Sequence, residues 1–375
     1  MSGRSGFATR LVALIRKETR QLLRDRSNLL VGLLLPFALI LLFGYGLSFD
    51  VTNAPVAVVM EDQSPVARDA VAGLAGSPYL APVMVASMED AETLMRAKKI
   101  DGIVRIPVDF ARARAAGSGR VQLIVNGADS TTASSIEGYV TGAVQTAMLH
   151  TADRAGGGPG AGVTLVQRTW FNEAGNSRWY LVPGLLVLVM TLIGAFLTSL
   201  LIAREWERGT LESLFVTPVR PTEIVLSKLA PYVVVGTIDM VVCLLCARFL
   251  FGVPVRGSLV IVMVASLLYL VVSLLIGLAI SGVTRNQFAA SQMAMLASFM
   301  PAMMLSGFVF DLRNVPIAIQ VVAQVLPATH FMQLVKTLFL AGTVWPIVAK
   351  SCAILSAYAL LLAFLTRRML AKRLD

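Results

Sequence analysis

The sequence predicts an α-helical polytopic membrane protein of six transmembrane helices, with an α/β (α+β) domain inserted between the first and second. Three observations carry this. The 375 residues are 56% hydrophobic and only 14% charged, against about a quarter charged in an ordinary soluble domain. Runs free of Asp, Glu, Lys and Arg cover 27–49, 179–203, 257–284 and 286–310. Each exceeds the roughly 20 residues a helix needs to cross the hydrocarbon layer. Inside lipid the backbone must bond to itself, so these runs are helices. Segment 50–178 has another character, with 13 acidic and 11 basic residues, glycines and short apolar stretches.

Residues 1–28 precede the first span. Leu11, Leu14, Ile15 and Leu22 fall at helical spacing, while Arg10, Arg16, Lys17, Arg20 and Arg24 supply a polar side. Such a pattern suits a helix lying on a membrane surface. The basic excess here is matched by Arg367, Arg368, Lys372 and Arg373 at the far end. Lys and Arg beside spans mark the cytoplasmic side, so both termini are expected there. The same distribution explains the net charge of +10 without nucleic acid. The first span, 29–49, is too long for a cleaved signal core and reads as a retained anchor.

In 50–178, strands are expected at 55–60, 82–86, 100–106, 121–125 and 163–171. Helices are expected at 66–74, 88–99, 107–115 and 131–149. Alternation of this kind indicates an α/β or α+β domain, and its length suffices for a core of its own. Spans two to six are expected at 179–203, 226–250, 258–282, 288–309 and 345–366, with Trp179, Tyr180 and Trp345 as interfacial anchors. The uncharged stretch 314–335 is long enough to cross. A crossing there would leave the terminal arginines outside, so 311–343 reads as a re-entrant or interfacial helical hairpin on the outer side, packed against protein.

Between spans two and three lies a polar stretch, 204–218, expected as a short amphipathic helix. Trp206, Leu211, Leu214 and Phe215 supply its apolar side; Glu205, Glu207, Arg208 and Glu212 face water or a partner. Thr217-Pro218 ends it, because proline cannot continue the ladder. This segment, E-W-E-R-G-T-L-E-S-L-F-V-T-P-V-R-P-T-E-I followed by L-S-K-L-A-P-Y, resembles the coupling segment of ABC-2 type permeases. Leu305-Ser306-Gly307-Phe308-Val309-Phe310, Asn314-Val315-Pro316 and Leu326-Pro327-Ala328-Thr329-His330-Phe331 resemble that family's fifth span and outer re-entrant helices. The large domain after span one resembles that of its six-span bacterial members.

The resemblance implies a permease subunit of an ATP-driven exporter in a bacterial inner membrane, working as a homodimer or heterodimer. A coupling helix at Arg204, Glu205, Trp206, Glu207, Arg208, Gly209, Thr210, Leu211, Glu212, Leu214, Thr217 and Pro218 would dock a separate ABC ATPase. Ser306, Gly307, Pro316, Pro327 and Thr329 would form the outer re-entrant motif. A periplasmic adaptor and membrane lipid are further expected partners. No lysine follows a glycine anywhere, so the Gly-Lys ending of a Walker A loop is absent. ATP and Mg are therefore expected on the partner, with no cofactor bound by this chain. No His, Cys or acid spacing suggests a metal, and Cys243, Cys246 and Cys352 read as apolar packing residues.

Asp239 lies mid-way along span three, with Arg248 its nearest opposite charge at helical spacing. An ionisable group in a span is by default a candidate for the pathway or for helix contact. An ion-driven secondary transporter using Asp239 is one competing class, though no inverted repeat of broken helices supports it. A membrane-anchored sensor or scaffold with an outer binding domain is another.

Overall fold

The computed structural model describes residues 5–46, 53–126, 130–154, 176–211, 216, 219–309, 312 and 315–370. The chain divides into two compact units, Met1–Leu47 with Thr169–Asp375, and Ser48–Arg168. The first unit opens with α1 (Ser5–Arg24), separated by Asp25 alone from α2 (Arg26–Gly46).

The second unit is built on four strands: β1 (Ala54–Met60), β2 (Leu80–Val85), β3 (Gly102–Ile106) and β4 (Gln122–Val125). Their order is β2-β1-β3-β4, with β1 parallel to β2 and β3, and β4 antiparallel to β3. Successive strand residues point to opposite faces. In β1, Val56 and Val58 join Leu74, Val104, Ile136 and Val140 in one core, while Ala57 and Val59 join Ala91, Ile100 and Ile103 in another. Both faces of β1 are thus covered, which is why it reads as a continuous apolar run. The helices are α3 (Pro65–Ala75), α4 (Met88–Arg96), α5 (Phe110–Ala115) and α6 (Ser130–Arg154). Ser64 caps α3 by accepting from Ala67 N, with Pro65 at the first helical position; Ser87 caps α4 through Asp90 N. Both are preferred cap residues, because their oxygen satisfies an orphan N–H. The strand expected at 163–171 lies outside the described residues.

The remaining helices of the first unit are α7 (Ser177–Glu207), α8 (Pro221–Leu250), α9 (Leu259–Thr284), α10 (Gln287–Leu305), α11 (Ile317–Val325), α12 (Pro327–Ala341) and α13 (Trp345–Met369). Six helices among the described residues are long and apolar enough to cross a membrane: α2, α7, α8, α9, α10 and α13. Most of the apolar window of α7 is buried inside the bundle, while only a minor share of those of α2, α10 and α13 is buried. Exposed Leu34, Phe249, Phe288 and Leu360 suit a lipid-facing perimeter, since lipid tails are as apolar as leucine.

The crossing of α7 and α9 is close. A Cβ on Gly194 would collide with Ser273, and one on Gly277 with Ala195 O and Thr198 Oγ1. That proximity lets Thr198 Oγ1 donate to Leu274 O at 2.8 Å, while Ser281 Oγ accepts from Ile202 N and Ala203 N at 2.9 Å. Small residues at such crossings bring backbones together where no hydrophobic effect separates helix from lipid. In α8, Asp239 is 2% exposed, and its Oδ2 has no hydrogen-bond partner among the described residues. Cys243 is buried; Cys246 and Cys352 are half-buried.

Within the stretch expected as a re-entrant or interfacial hairpin, α11 and α12 meet at 89°. Leu326 is extended and Pro327 starts α12, so proline's missing N–H falls where no helical bond is needed. The nine residues of α11 reach only about 14 Å, well short of a hydrocarbon layer. Thr329 Oγ1 donates to Ala323 O at 2.6 Å, satisfying a carbonyl at the end of α11, and lies 3.3 Å from Leu305 O of α10. Gly307, in the left-handed region at φ 85°, presents its carbonyl to Tyr180 OH at 3.0 Å and Lys336 Nζ at 2.6 Å. The expected outer motif is therefore brought together around Gly307 and Thr329. Pro316 stands just before α11, and Ser306 is buried beside them.

Candidate functional site: a charged joint at one end of the bundle

The candidate site forms where α1 packs on the last turn of α7 and the first turns of α8. Leu22 of α1 enters the bundle core with Leu14 half-buried against it. The acids on this same side, Glu18, Glu205 and Glu223, are buried and pair with basic residues. Arg10 Nη2 reaches Glu223 Oε1 at 3.0 Å, and the fully buried Glu223 carboxylate also accepts from Arg220 N at 2.8 Å. It thereby closes the N-terminus of α8 and anchors α1 to it. One further turn along, Lys228, its side chain 1% exposed, places Nζ 2.9 Å from Glu205 Oε2 and 3.5 Å from Glu18 Oε1. Lys17 Nζ closes the ring, 2.7 Å from Glu205 and 2.9 Å from Glu18. Burial disfavours charge on Lys17, but the hydrogen bonds and negative charges of Glu205 and Glu18 outweigh it and raise its pKa. Two lysines against two carboxylates leave this ring neutral, with Glu18, Glu205 and Lys228 buried and Lys17 closing it from the solvent side. Breaking such a set by removing one member strands a charge and is strongly destabilising.

The last turn of α7 is bound on its other sides as well. Arg204 Nη1 meets Asp25 Oδ2 at 2.7 Å, at the α1–α2 joint, and its Nε donates to Gln287 at 3.3 Å. Glu207 accepts from the backbone and side chain of Gln287, the first residue of α10. The guanidinium of Arg285, which ends α9 at φ 54°, lies 4.2 Å from the Trp206 ring centroid. Four consecutive residues therefore touch α1, the α1–α2 joint, α8, α9 and α10.

These contacts change the reading of the segment expected as a single surface helix over 204–218. Arg204–Glu207 is the end of α7 itself, capped at Arg208, and Gly209 turns the chain at φ 66°. Glu205, expected to face water or a partner, is buried between Lys17 and Lys228. Trp206 is half-covered by Arg285. Glu207, Arg208, Gly209 and Thr210 are exposed, and Leu211 is buried. Glu212, Leu214, Thr217 and Pro218 lie outside the described residues. Sequence reasoning missed Glu18, Asp25, Glu223, Lys228, Arg285 and Gln287. The available signal was Lys228: a lysine set two turns inside an otherwise apolar helix implies a buried acid nearby. Asp239 is a different feature, further along α8 and outside this network.

Six helices among the described residues that are long and apolar enough to cross a membrane, packed as one bundle, are those of a multi-pass membrane protein. The chain belongs to the ABC-2 family transporter proteins, which match residues 26–368, and it is a permease subunit of an ABC-2 type transporter. It is 40% identical over 368 residues, 98% of each chain, to the "Probable multidrug ABC transporter permease YbhS" of Escherichia coli K12. It is 28% identical over 352 residues to "Probable multidrug ABC transporter permease YbhR" of the same strain, covering 90% of this chain and 94% of that one. To the "Inner membrane transport permease YhhJ" of that strain it is 26% identical over 301 residues, 78% and 79% of the two chains.

Proposed function

We propose that the chain is the pathway-forming half of an ATP-driven exporter, operating as a dimer and driven through 204–218 by a separate cytoplasmic ATPase. The observation that carries this reading is the convergence of five elements on Arg204–Glu207. A push on the exposed residues that follow, Arg208 to Thr210 and Val216, reaches every one of those elements through a short polar contact. A switch of this type needs an element with two packings, biased by nucleotide. ATP and Mg would sit on the partner, since this sequence has no Walker A loop.

The basic flanks at both ends support termini in the cytoplasm of a bacterium's inner membrane. That orientation makes Ser48–Arg168 the extracytoplasmic α/β domain and a natural docking surface for a periplasmic adaptor. The relatives' names support amphiphilic drug-like cargo. Affinity purification of the full chain from its native membrane tests the reading: an ATPase carrying a Walker A loop is expected to come with it. Glu207→Arg with Glu212→Arg is expected to insert normally but lose that ATPase. Glu212→Arg alone keeps the Glu207–Gln287 contact and separates docking from helix capping. ATP-independent export by the purified chain in vesicles would overturn the proposal.

A further inference from the structure

A cleft of about 670 Å³ opens beside the charged joint, lined by Lys17, Arg24, Asp25, Arg26, Arg204, Glu205 and Arg208 among others. Its two acids are already neutralised, Glu205 by Lys17 and Lys228, and Asp25 by Arg204. Arg24, Arg26 and Arg208 close no salt bridge among the described residues, and all three are exposed. The cleft is therefore net cationic. Its depth is fixed by the helices that form it. Arg26 stands three residues before the apolar window of α2 begins at Leu29, about 4.5 Å along the axis. Arg204 directly follows Ala203, the end of the charge-free run 179–203 in α7. Both levels are those of lipid headgroups.

Two exposed apolar surfaces lie on the helices that contribute to the cleft. On α1, Val12 and Leu23 are 64% and 63% exposed. Eleven residues separate them, three helical turns, so they share a face. A basic helix with such an unpartnered face lies in the membrane interface. On α2, Leu30, Leu34 and Phe37 are exposed on successive turns above Arg26, at the spacing of one helix face. An anion held at Arg26 with acyl chains attached lays those chains along this strip. A soluble anion or an acidic protein segment would leave the strip unused.

We propose that this cleft is a binding site for the phosphate of an anionic phospholipid headgroup, with its acyl chains against Leu30, Leu34 and Phe37. Basic pockets between membrane helices favour such headgroups by direct charge pairing, and arginine forks suit phosphate oxygens. The bound lipid would complete the wall between the α1–α2 joint and the last turn of α7. The site does not depend on the ATPase reading.

The test is native mass spectrometry of the delipidated full-length protein titrated separately with phosphatidylglycerol, phosphatidylcholine of matched chains and inorganic phosphate. One phosphatidylglycerol per chain is expected to bind at least tenfold more tightly than phosphatidylcholine, with inorganic phosphate not competing at equal concentration. Arg24→Gln/Arg26→Gln/Arg208→Gln is expected to abolish that preference, and the matching triple lysine variant to keep part of it. Should the triple glutamine variant fail to insert, Arg208→Gln alone, which lies outside the N-terminal flank, is expected to weaken phosphatidylglycerol at least threefold. Equal binding of the two lipids, displacement by inorganic phosphate, or an unchanged preference in the variants would overturn the site. Unchanged lipid preference with loss of a co-purified ATPase would assign the arginines to that partner instead.

Discussion

Lys228 shows how much a single side chain is asked to do in this bundle. An ammonium at 1% exposure survives only because Glu205 and Glu18 lie within 2.9 and 3.5 Å. Lys228→Met keeps the length of the stem but leaves two carboxylates sharing Lys17 alone. The expected loss is about 3–5 kcal/mol, the usual cost of breaking a buried pair from one side. It would be read as a lower midpoint in thermal unfolding of the detergent-solubilised protein. Adding Glu205→Gln removes the stranded charge and is expected to recover part of it; a midpoint equal to wild type in the single variant would dissolve the network. Asp239 presents the opposite case, a buried carboxyl whose Oδ2 has no partner among the described residues. Asp239→Asn keeps the shape and adds donors, so assembly and ATP-coupled export are expected to stay at wild-type level. A variant that assembles but changes the pH dependence of export would place the carboxyl in the pathway. The sequence made Asp239 conspicuous and left Glu205 and Glu223 looking like solvated ends of spans. Charge near a helix end is ordinarily exposed, and only the tertiary packing of α1 reverses that here.

At the scale of elements, local chemistry was legible and bends were less so. The expected strand at 55–60 and helix at 66–74 each match the observed element within a residue, because Ser64-Pro65 and the short continuous apolar run of β1 are local signals. The right angle at Leu326–Pro327 was legible as an interruption but not as an angle, since it is fixed by Thr329, which bonds to α11 and lies against α10. The α7–α9 crossing offers a test of close approach. Gly277→Leu drives a branched side chain into Ala195 and Thr198, and a sharp loss of folded protein on size-exclusion chromatography is expected. In the Ser48–Arg168 unit, Asp62 accepts from Ser64 N and Ala111 N, both at 2.8 Å, and these bonds hold its pKa below the ordinary value. A depressed folded pKa stabilises at pH values above the unfolded pKa, about 3.9, and the contribution fades as pH falls through the folded value. Asp62→Asn is therefore expected to lower the unfolding midpoint of this unit at pH 7, with the gap to wild type closing below about pH 4. A gap that stays constant down to pH 2 would remove the carboxylate's charge from the account.

The whole molecule poses a question of parity. Six helices carry the chain back to the side on which it began, and α1 and the end of α13 both bear the basic residues that favour the cytoplasm. Treating α11 and α12 as one more crossing would reverse the direction of α13 and strand Arg367 and Arg368 on the outer side. The 89° bend argues against that, because neither arm alone spans the hydrocarbon layer and the joint is bonded to protein. Single cysteines in a background lacking Cys243, Cys246 and Cys352 decide the matter. Ser118, Ala318, Val216 and Met369 are all exposed, so access to a thiol reagent depends on which side of the membrane each occupies. Ser118→Cys and Ala318→Cys are expected to react with a membrane-impermeant maleimide in intact spheroplasts. Val216→Cys and Met369→Cys are expected to react only after permeabilisation. Reaction of Met369→Cys in intact cells, with Val216→Cys still protected, would make α11–α12 a seventh span and put the C-terminal arginines outside. Protection of Ser118→Cys together with reaction of Val216→Cys would invert the entire topology, and the proposed ATPase contact at 204–218 would fall with it.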